Sequence, residues 1–205
     1  MFKQMAVAVA IGFGAVAASA ATITFDDLTP DPGTDGVKIT NGYGGFDWDL
    51  FYVLNGPSYY EPDTGYQHGV VSGEHVAYNA FGYPASFSRA TEFTFNSVYL
   101  TRAWYDGTVR FEGFNGVNSL YQMDIVANAM TPTLVTFDWT GITKVVMTTL
   151  GGERPHAVID NLVFNEPVSA VPLPAAALLF GSGLLGMAGL GRKKQARKEP
   201  AEAQA

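Results

Sequence analysis

Hydrophobic and polar residues alternate in short stretches between residues 21 and 165, and Gly, Pro, Asn and Asp separate the stretches. In one of them Phe46, Trp48 and Leu50 alternate with Asp47 and Asp49. A period of two is typical of a β-strand with one buried face, and no segment of this region shows a convincing helical period. The pattern predicts strands over residues 22–25, 37–40, 46–54, 74–79, 91–95, 98–105, 109–112, 120–126, 134–139, 142–149 and 157–164.

These strands predict one all-β domain over residues 21–165. Because no helices stand between the strands, an antiparallel, jelly-roll-like β-sandwich is the first choice for its fold. Asp106-Gly107 lies between two strands and predicts a hairpin turn. Residues 55–73 form a long loop rich in Gly, Tyr and Pro, and loops of this length in compact domains are more often functional or mobile than neutral.

The N-terminus has the parts of a secretory signal peptide. Lys3 is the only charged residue before Asp26, an apolar stretch covers residues 5–16, and Ala18-Ser19-Ala20 forms an A-x-A-like cleavage site. The sequence therefore predicts a signal peptide over residues 1–20, read by the secretion machinery and cut by signal peptidase before Ala21. An uncleaved N-terminal anchor is the alternative.

The C-terminus has an ordered arrangement of its own. After a linker over residues 166–171 come two prolines, an uncharged apolar run over residues 175–190, and the bases Arg192, Lys193 and Lys194. The run predicts a transmembrane helix somewhat shorter than the ~20 residues of a typical span. The bases place residues 195–205 in the cytoplasm as a basic, disordered tail. A plain membrane anchor is the simplest interpretation.

Three motifs give this region a more specific character. They are Val171-Pro172-Leu173-Pro174-Ala175-Ala176, then Gly183-Leu184-Leu185-Gly186 with Gly189, then the bases from Arg192. Together they resemble the PEP-CTERM sorting signal of exported Gram-negative proteins, also called the ice-binding protein C-terminal domain, with Leu173 in place of the family's glutamate. The resemblance implies a sorting signal over residues 172–194 and recognition by an exosortase. It also implies removal or transfer of the body, and a final place in the cell envelope or extracellular matrix.

The body resembles a recurrent type of domain found ahead of such tails. The similar motifs are Ile23-Thr24-Phe25-Asp26-Asp27-Leu28, Tyr99-Leu100-Thr101, Trp104-Tyr105-Asp106-Gly107 and Ile159-Asp160-Asn161-Leu162-Val163-Phe164. This resemblance implies a sandwich fold but names no ligand, because fold alone does not give function.

The body is strongly acidic. Residues 21–170 contain six Lys and Arg against 17 Asp and Glu, a net charge of −11, whereas the whole chain carries −7. A surface of this sign argues against nucleic acid as a partner, because binding to phosphates depends on bases. It suits a cation or a polar neutral ligand. The chain has no cysteine, so disulfides and thiolate metal sites are excluded.

Motifs that would indicate catalysis are missing from the sequence: a nucleophile elbow, a zinc-binding H-E-x-x-H, a P-loop and a dinucleotide fingerprint. His68, His75 and Glu74 could form a metal site, although histidines in loops are usually solvated. A pair of carboxylates for glycoside hydrolysis cannot be chosen from so many scattered acids. No catalytic residue is therefore predicted, and Ca²⁺ is the cofactor that the sequence favours.

Ca²⁺ is the one candidate cofactor. Asp26 and Asp27 follow the first strand, and Asp160 and Asn161 lie in the last. If the terminal strands are neighbours, these four side chains could converge and supply the oxygen ligands that Ca²⁺ prefers. The alternative is that the aspartates cap turns and strand ends through hydrogen bonds to the backbone.

Aromatic residues form a second candidate site, for a polysaccharide. The candidates lie in loops and at strand ends: Trp48, Tyr59, Tyr60, Tyr66, Trp104 and Tyr105. Exposed rings can stack on sugar rings while neighbouring polar groups bind the hydroxyls. For Trp48 and Trp139, which alternate with Asp, a place in the core is favoured over this role, whereas the Tyr59-Tyr60 pair in its Pro/Gly loop is expected to be exposed.

The sequence thus favours a non-enzymatic exported protein of the envelope or extracellular matrix, with a β-sandwich body that is structural or binds carbohydrate. A secreted polysaccharide hydrolase is the first alternative. An ice-binding protein is the second, although the sequence lacks the long T-x-T array that a flat ice-binding face needs.

Overall fold

Ten β-strands dominate the computed structural model, which describes residues 20–167. The strands are β1 Ala21–Ile23, β2 Val37–Lys38, β3 Asp47–Asp49, β4 Phe51–Asn55, β5 His75–Asn79, β6 Ala85–Arg102, β7 Gly107–Asn115, β8 Asn118–Ala127, β9 Thr133–Leu150 and β10 Ala157–Phe164. One short helix, α1 (Gly65–His68), and two 3₁₀ turns, Tyr43–Gly45 and Ala80–Gly82, complete the described elements. The predicted signal peptide over residues 1–20 lies outside the described residues except for Ala20, and the predicted sorting signal over 172–194, helix over 175–190 and tail over 195–205 lie wholly outside them.

The strands pair antiparallel in the order β2-β4-β5-β10-β6-β9-β7-β8, with β1 beside β10 and β3 beside β6. β6 and β9 are 18 residues long and change partners along their length. The start of β6 pairs with β3, and its later part pairs with β10. Register shifts between Ser88 and Ser97 bend the ladder between these two parts, as β-bulges do. The all-β, antiparallel prediction is confirmed, and the arrangement is consistent with a sandwich.

The core is largely aromatic and lies on one face of these strands. Phe25, Phe51, Phe87 and Phe95 are at most 1% exposed, and Trp48 is 2% exposed. Their rings meet mostly edge to face or tilted, as the geometry of aromatic quadrupoles favours. A domain without disulfides is thus held by a continuous hydrophobic cluster.

Three predicted boundaries were wrong. The predicted strands 91–95 and 98–105 are parts of the single strand β6, which ends at Arg102, and the predicted strands 134–139 and 142–149 belong to β9. The interruptions are irregularities within a strand: at Asp138 (φ 50°) and Gly141 (φ 68°) the chain bends and then continues. Conversely, Leu50 at φ 55° divides the predicted strand 46–54 into β3 and β4.

The hairpin predicted at Asp106-Gly107 was also wrong. β6 and β7 do not pair with each other there, and each pairs with β9 instead. The Asp106 carboxylate accepts hydrogen bonds from the Ala129 amide and the Asn128 side chain, which ties this connection to the segment after β8. The tight hairpin lies at Gly116-Val117, between β7 and β8, where Gly116 has the positive φ (58°) of a primed turn.

The outer face of β4, β5 and β10 carries a second hydrophobic cluster. Along β5, Ala77 faces the main core, whereas Val76 and Tyr78 face outward and pack with Leu54 and Val158. The long segment between β4 and β5 folds back over this face, and its Tyr59 and Tyr66 join the cluster. Both faces of this part of the sheet are therefore covered, and the covering segment shapes the site described next.

Candidate functional site

A cleft of about 300 Å³ opens where the segment between β4 and β5 folds over the sheet. Seven aromatic side chains of the described residues line it, together with smaller residues and three polar ones, Asp35, Arg154 and His156. The aromatic lining residues are Tyr52, Tyr59, Tyr60, Tyr66, Tyr78, Phe81 and Trp104. A concave, mostly apolar cavity with a few polar groups is the usual form of a small-molecule site.

The alternation of side chains along β4 and β5 and one close backbone contact at α1 determine where these rings lie. Tyr52 and Tyr78 are cross-strand partners on the outer face of β4 and β5. Tyr66 lies on α1, which packs tightly because Gly65 carries no side chain: a Cβ there would lie 1.8 Å from the carbonyl oxygen of Arg102. The amide of Gly65 also donates to the carbonyl of Ala103 at 2.6 Å. A larger residue at position 65 would push Tyr66 away from the sheet.

The rings form a continuous wall around Tyr66. Its ring centroid lies 4.5 Å from that of Tyr59, 5.2 Å from Tyr78 and 5.2 Å from Trp104. Burial strongly raises the pKa of the Tyr66 phenol, so it stays protonated. Tyr59, Tyr66 and Tyr78 belong to the second hydrophobic cluster, and Trp104 packs against it.

The rim of the cleft is different, because its rings face solvent. Tyr60 is 57% exposed and Phe81 is 67% exposed. Phe81 also has φ 59° and ψ 8°, a left-handed conformation that costs free energy for a bulky residue. An exposed ring held in a strained conformation at the mouth of a cavity is a feature of a binding site rather than of a core.

Asp35 brings a carboxylate to the same rim. Its Oδ1 accepts a hydrogen bond from the Tyr60 hydroxyl at 3.0 Å, and its backbone carbonyl accepts one from the Tyr78 hydroxyl. The next residue must be glycine, because Gly36 has φ 82° and a Cβ there would lie 2.0 Å from the carbonyl oxygen of Val53. The close crossing of this loop over β4 fixes the position of Asp35.

A charged pair closes another side of the cleft. Arg154 donates two hydrogen bonds to Glu61, at 2.6 and 2.8 Å, and its guanidinium lies 3.5 Å from the centre of the Trp104 ring. The Trp104 indole N–H donates to the same carboxylate at 2.8 Å. These hydrogen bonds, with Arg154 the main cause, lower the pKa of Glu61. Glu61 therefore remains ionised and fully occupied by its two partners.

His156 is the imidazole of the cleft. Its Nδ1 lies 2.5 Å from the Tyr66 hydroxyl, and its ring stacks on Tyr78 with centroids 5.5 Å apart. Burial and, secondarily, the charge of Arg154 lower the pKa of His156 to about 4. The ring is therefore neutral at neutral pH and offers a hydrogen-bonding nitrogen without a charge.

Four of the six predicted ligand-binding residues come together here: Tyr59, Tyr60, Tyr66 and Trp104. The prediction was wrong for Trp48, which lies in the main core and donates its indole N–H to the carbonyl of Tyr43. Trp139 is 5% exposed, so the core role favoured for both tryptophans is confirmed. Tyr105 is 56% exposed but does not line the cleft.

Sequence reasoning missed the other nine lining residues, six of them aromatic or polar: Asp35, Tyr52, Tyr78, Phe81, Arg154 and His156. Strand alternation could have found Tyr52 and Tyr78, because each lies beside residues of the main core and must face the other side of the sheet. Arg154 and His156 carry no comparable signal, since they come from the distant β9–β10 connection.

The predicted calcium ligands lie near the neighbouring strands β1 and β10, as expected, but their oxygens have other partners. Asp26 accepts hydrogen bonds from the amides of Glu74 and His75, and Asp160 from those of Val71, Ser72 and Asn161. Asn161 accepts from the Ser72 hydroxyl, and Asp27 from the Tyr43 hydroxyl. The two aspartates thus tie the segment before β5 to the terminal strands.

Within residues 20–167 no group of three or more His, Asp or Glu side chains is arranged to hold a metal ion. His68 and His75 each lie about 4 Å from a separate aspartate, Asp63 and Asp26. Ca²⁺ binding by Asp26, Asp27, Asp160 and Asn161 stays a prediction. Over the same residues, no helix is long and apolar enough to cross a membrane.

Comparison with known proteins adds little to this geometry. No family model and no curated protein matches the chain. A solved structure that aligns with it is the crystal structure of the K2 cleaved adhesin domain of Lys-gingipain, at 10% identity and a TM-score of 0.44. The alignment covers 73% of this chain and 99% of that domain. A similarity this low supports no inference about function.

Proposed function

We propose that this chain is an exported, non-enzymatic protein whose β-domain binds carbohydrate in the aromatic cleft. One observation supports the proposal most: seven aromatic rings surround a cavity of about 300 Å³, and two of them are more than half exposed at its rim. Flat rings stack on the apolar faces of sugar rings, and the hydroxyl, carboxylate and imidazole groups between them suit sugar hydroxyls.

The export and membrane attachment in this proposal depend on the two ends of the chain. The signal peptide over residues 1–20 would export the chain, and the helix over 175–190 would hold it in the membrane. The PEP-CTERM-like signal over 172–194 would present it to an exosortase, with the cell envelope or extracellular matrix as its destination. A jelly-roll-like topology of the sandwich belongs to the same proposal.

Two features of the cleft speak against the alternative of a polysaccharide hydrolase. Glycoside hydrolysis uses two carboxyl groups on either side of the scissile bond, one of them protonated. Asp35 is the one carboxylate among the described lining residues. Glu61, nearby, has a lowered pKa because Arg154 and Trp104 bind its oxygens, so it cannot act as a general acid.

Affinity electrophoresis of the full-length protein through gels containing a panel of polysaccharides tests carbohydrate binding. We expect retardation by at least one polysaccharide. Tyr60→Ala and Phe81→Ala should each weaken binding roughly three- to tenfold, the magnitude of about one ring contact. Tyr83→Ala and Tyr105→Ala are matched controls, because these rings are 62% and 56% exposed but lie outside the cleft. Lack of retardation by the whole panel, or equal losses in all four variants, would contradict the proposal.

A further inference from the structure

We propose that the ligand of the cleft carries a protonated amine, so that the carbohydrate is an amino sugar whose ammonium group lies against the aromatic rings beside Asp35. This inference rests on the proposed carbohydrate-binding function and deepens it, because it names the chemical class of the sugar.

The charges of the cleft do not cancel. Arg154 is already neutralised by two hydrogen bonds to Glu61. His156 is neutral at neutral pH, because its pKa lies near 4. Among the described residues no Lys, Arg or His forms an ion pair with Asp35, whose carboxylate accepts a hydrogen bond from the Tyr60 hydroxyl. The cleft is therefore left with one negative charge.

The walls of the cleft favour a cation as well. The faces of aromatic rings attract cations through their quadrupole, and cages of several rings are a common way to bind ammonium groups. The cleft already holds one cation in this manner, because the Arg154 guanidinium lies 3.5 Å from the centre of the Trp104 ring beside the Glu61 carboxylate. Two further rings lie near Asp35, because the Tyr60 hydroxyl donates to its carboxylate and the Tyr78 hydroxyl donates to its backbone carbonyl, and no cation of the described chain pairs with this carboxylate.

Other classes of sugar fit these charges less well. A sugar bearing a carboxylate or sulfate would approach Asp35 without a free cation to receive it, and would also be repelled by a body of net charge −11. A neutral sugar would place only hydroxyl groups beside the Asp35 carboxylate. A protonated amine would form a charge-assisted hydrogen bond there, which is stronger than a neutral one.

Calorimetric titration of the full-length protein with three oligosaccharides of the same length and β-1,4 linkage tests the inference. The probes are oligomers of glucosamine, N-acetylglucosamine and glucose, at about pH 5.5 and physiological salt, where His156 remains neutral and the free amine is mostly protonated. We expect the glucosamine oligomer to bind at least tenfold more tightly than the other two. Asp35→Asn should lower the affinity for the glucosamine oligomer much more than the affinity for the two neutral oligomers, and so remove this preference.

Asp31→Asn is the matched control, because it makes the same change of charge in the same loop at an exposed residue that does not line the cleft. It should keep the preference. Equal affinity for the three oligomers would overturn the inference and leave carbohydrate binding intact. Equal losses in the Asp35 and Asp31 variants would also overturn it, because the attraction would then come from the overall acidic field. No binding of any oligomer or of any polysaccharide on the panel would overturn carbohydrate binding itself.

Discussion

Phe81 has a backbone conformation that glycine adopts more easily than phenylalanine. Its φ is 59°, its ring is 67% exposed, and its ring contact within the described residues is with Tyr52. The strain costs on the order of 1–3 kcal/mol, and an exposed ring recovers little of this by burial. A residue that costs stability and stays exposed is best explained by a contact with something outside the chain.

This explanation predicts that Phe81→Gly separates stability from binding. Glycine relieves the strain but makes the unfolded chain more flexible, so we expect the unfolding free energy to change by no more than about 1 kcal/mol in either direction. Binding of the retarding polysaccharide should weaken as in Phe81→Ala. Denaturant unfolding and affinity electrophoresis measure the two effects.

Phe25→Gly is the matched control, because Phe25 has a similar φ of 64° but is fully buried in the core. Losing that ring should cost about 3–5 kcal/mol. A loss of this size in Phe81→Gly would show that Phe81 has a structural role and would contradict the explanation above.

At the scale of elements, two groups, one just before β10 and one within it, change the stability of the fold in opposite directions as the pH falls. Burial lowers the pKa of His156, just before the strand, from 6.5 to about 4. The folded state therefore disfavours the imidazolium, and stability from this group falls as the pH drops from 6.5 towards 4. Burial raises the pKa of Asp160 from 3.8 to about 6, despite three hydrogen bonds from backbone amides. The folded state disfavours this carboxylate, so stability from this group rises as the pH drops from 6 towards 3.8.

Each effect is of the order of a few kcal/mol, and the two oppose each other between about pH 6 and pH 4. We predict that replacing one of the two groups at a time reveals the pH dependence of stability that the other group causes. On going from about pH 7 to about pH 4.5, Asp160→Asn should lose stability relative to the unmodified chain, and His156→Gln should gain it. Urea unfolding of the three proteins at both pH values measures these differences, and background titrations common to all three cancel in the comparison. Parallel pH profiles would refute the assignment.

The two longest strands, β6 and β9, show where the local sequence pattern does not predict the extent of a strand. β6 and β9 were each divided in two by the sequence prediction, because residues such as Asp138 and Gly141 break the alternation and resemble turns. In the fold they are irregularities at which the strand bends and changes partner. The hairpin predicted at Asp106-Gly107 was wrong for a different reason. The motif does mark a break between two strands, but a turn motif alone does not say whether the strands on either side pair with each other. Strand existence follows from local alternation, whereas pairing depends on distant residues.

At the scale of the whole molecule, the export proposal predicts that both ends of the chain change in the cell. Intact-mass analysis of the protein recovered from its native envelope and medium should show a start at Ala21, because Ala18-Ser19-Ala20 suits signal peptidase. It should also show loss or modification around Pro172–Pro174. A full-length species of residues 1–205 would contradict both parts of the prediction.

Sequence by itself determined the all-β class, the antiparallel arrangement and the burial of Trp139, because a period of two records directly which side of a strand is hydrophobic. It also identified four of the thirteen lining residues, among them Tyr59 and Tyr60, which stand in a loop too rich in Gly and Pro to be a strand. The expected exposure of this pair is confirmed for Tyr60, at 57%, and wrong for Tyr59, at 6%. Only the tertiary structure decided that Asp35, Phe81 and His156 meet the tyrosines in one cavity. These residues come from loops far apart in the chain, and their meeting depends on strand pairing and on the folding of one loop over the sheet, which no local pattern records.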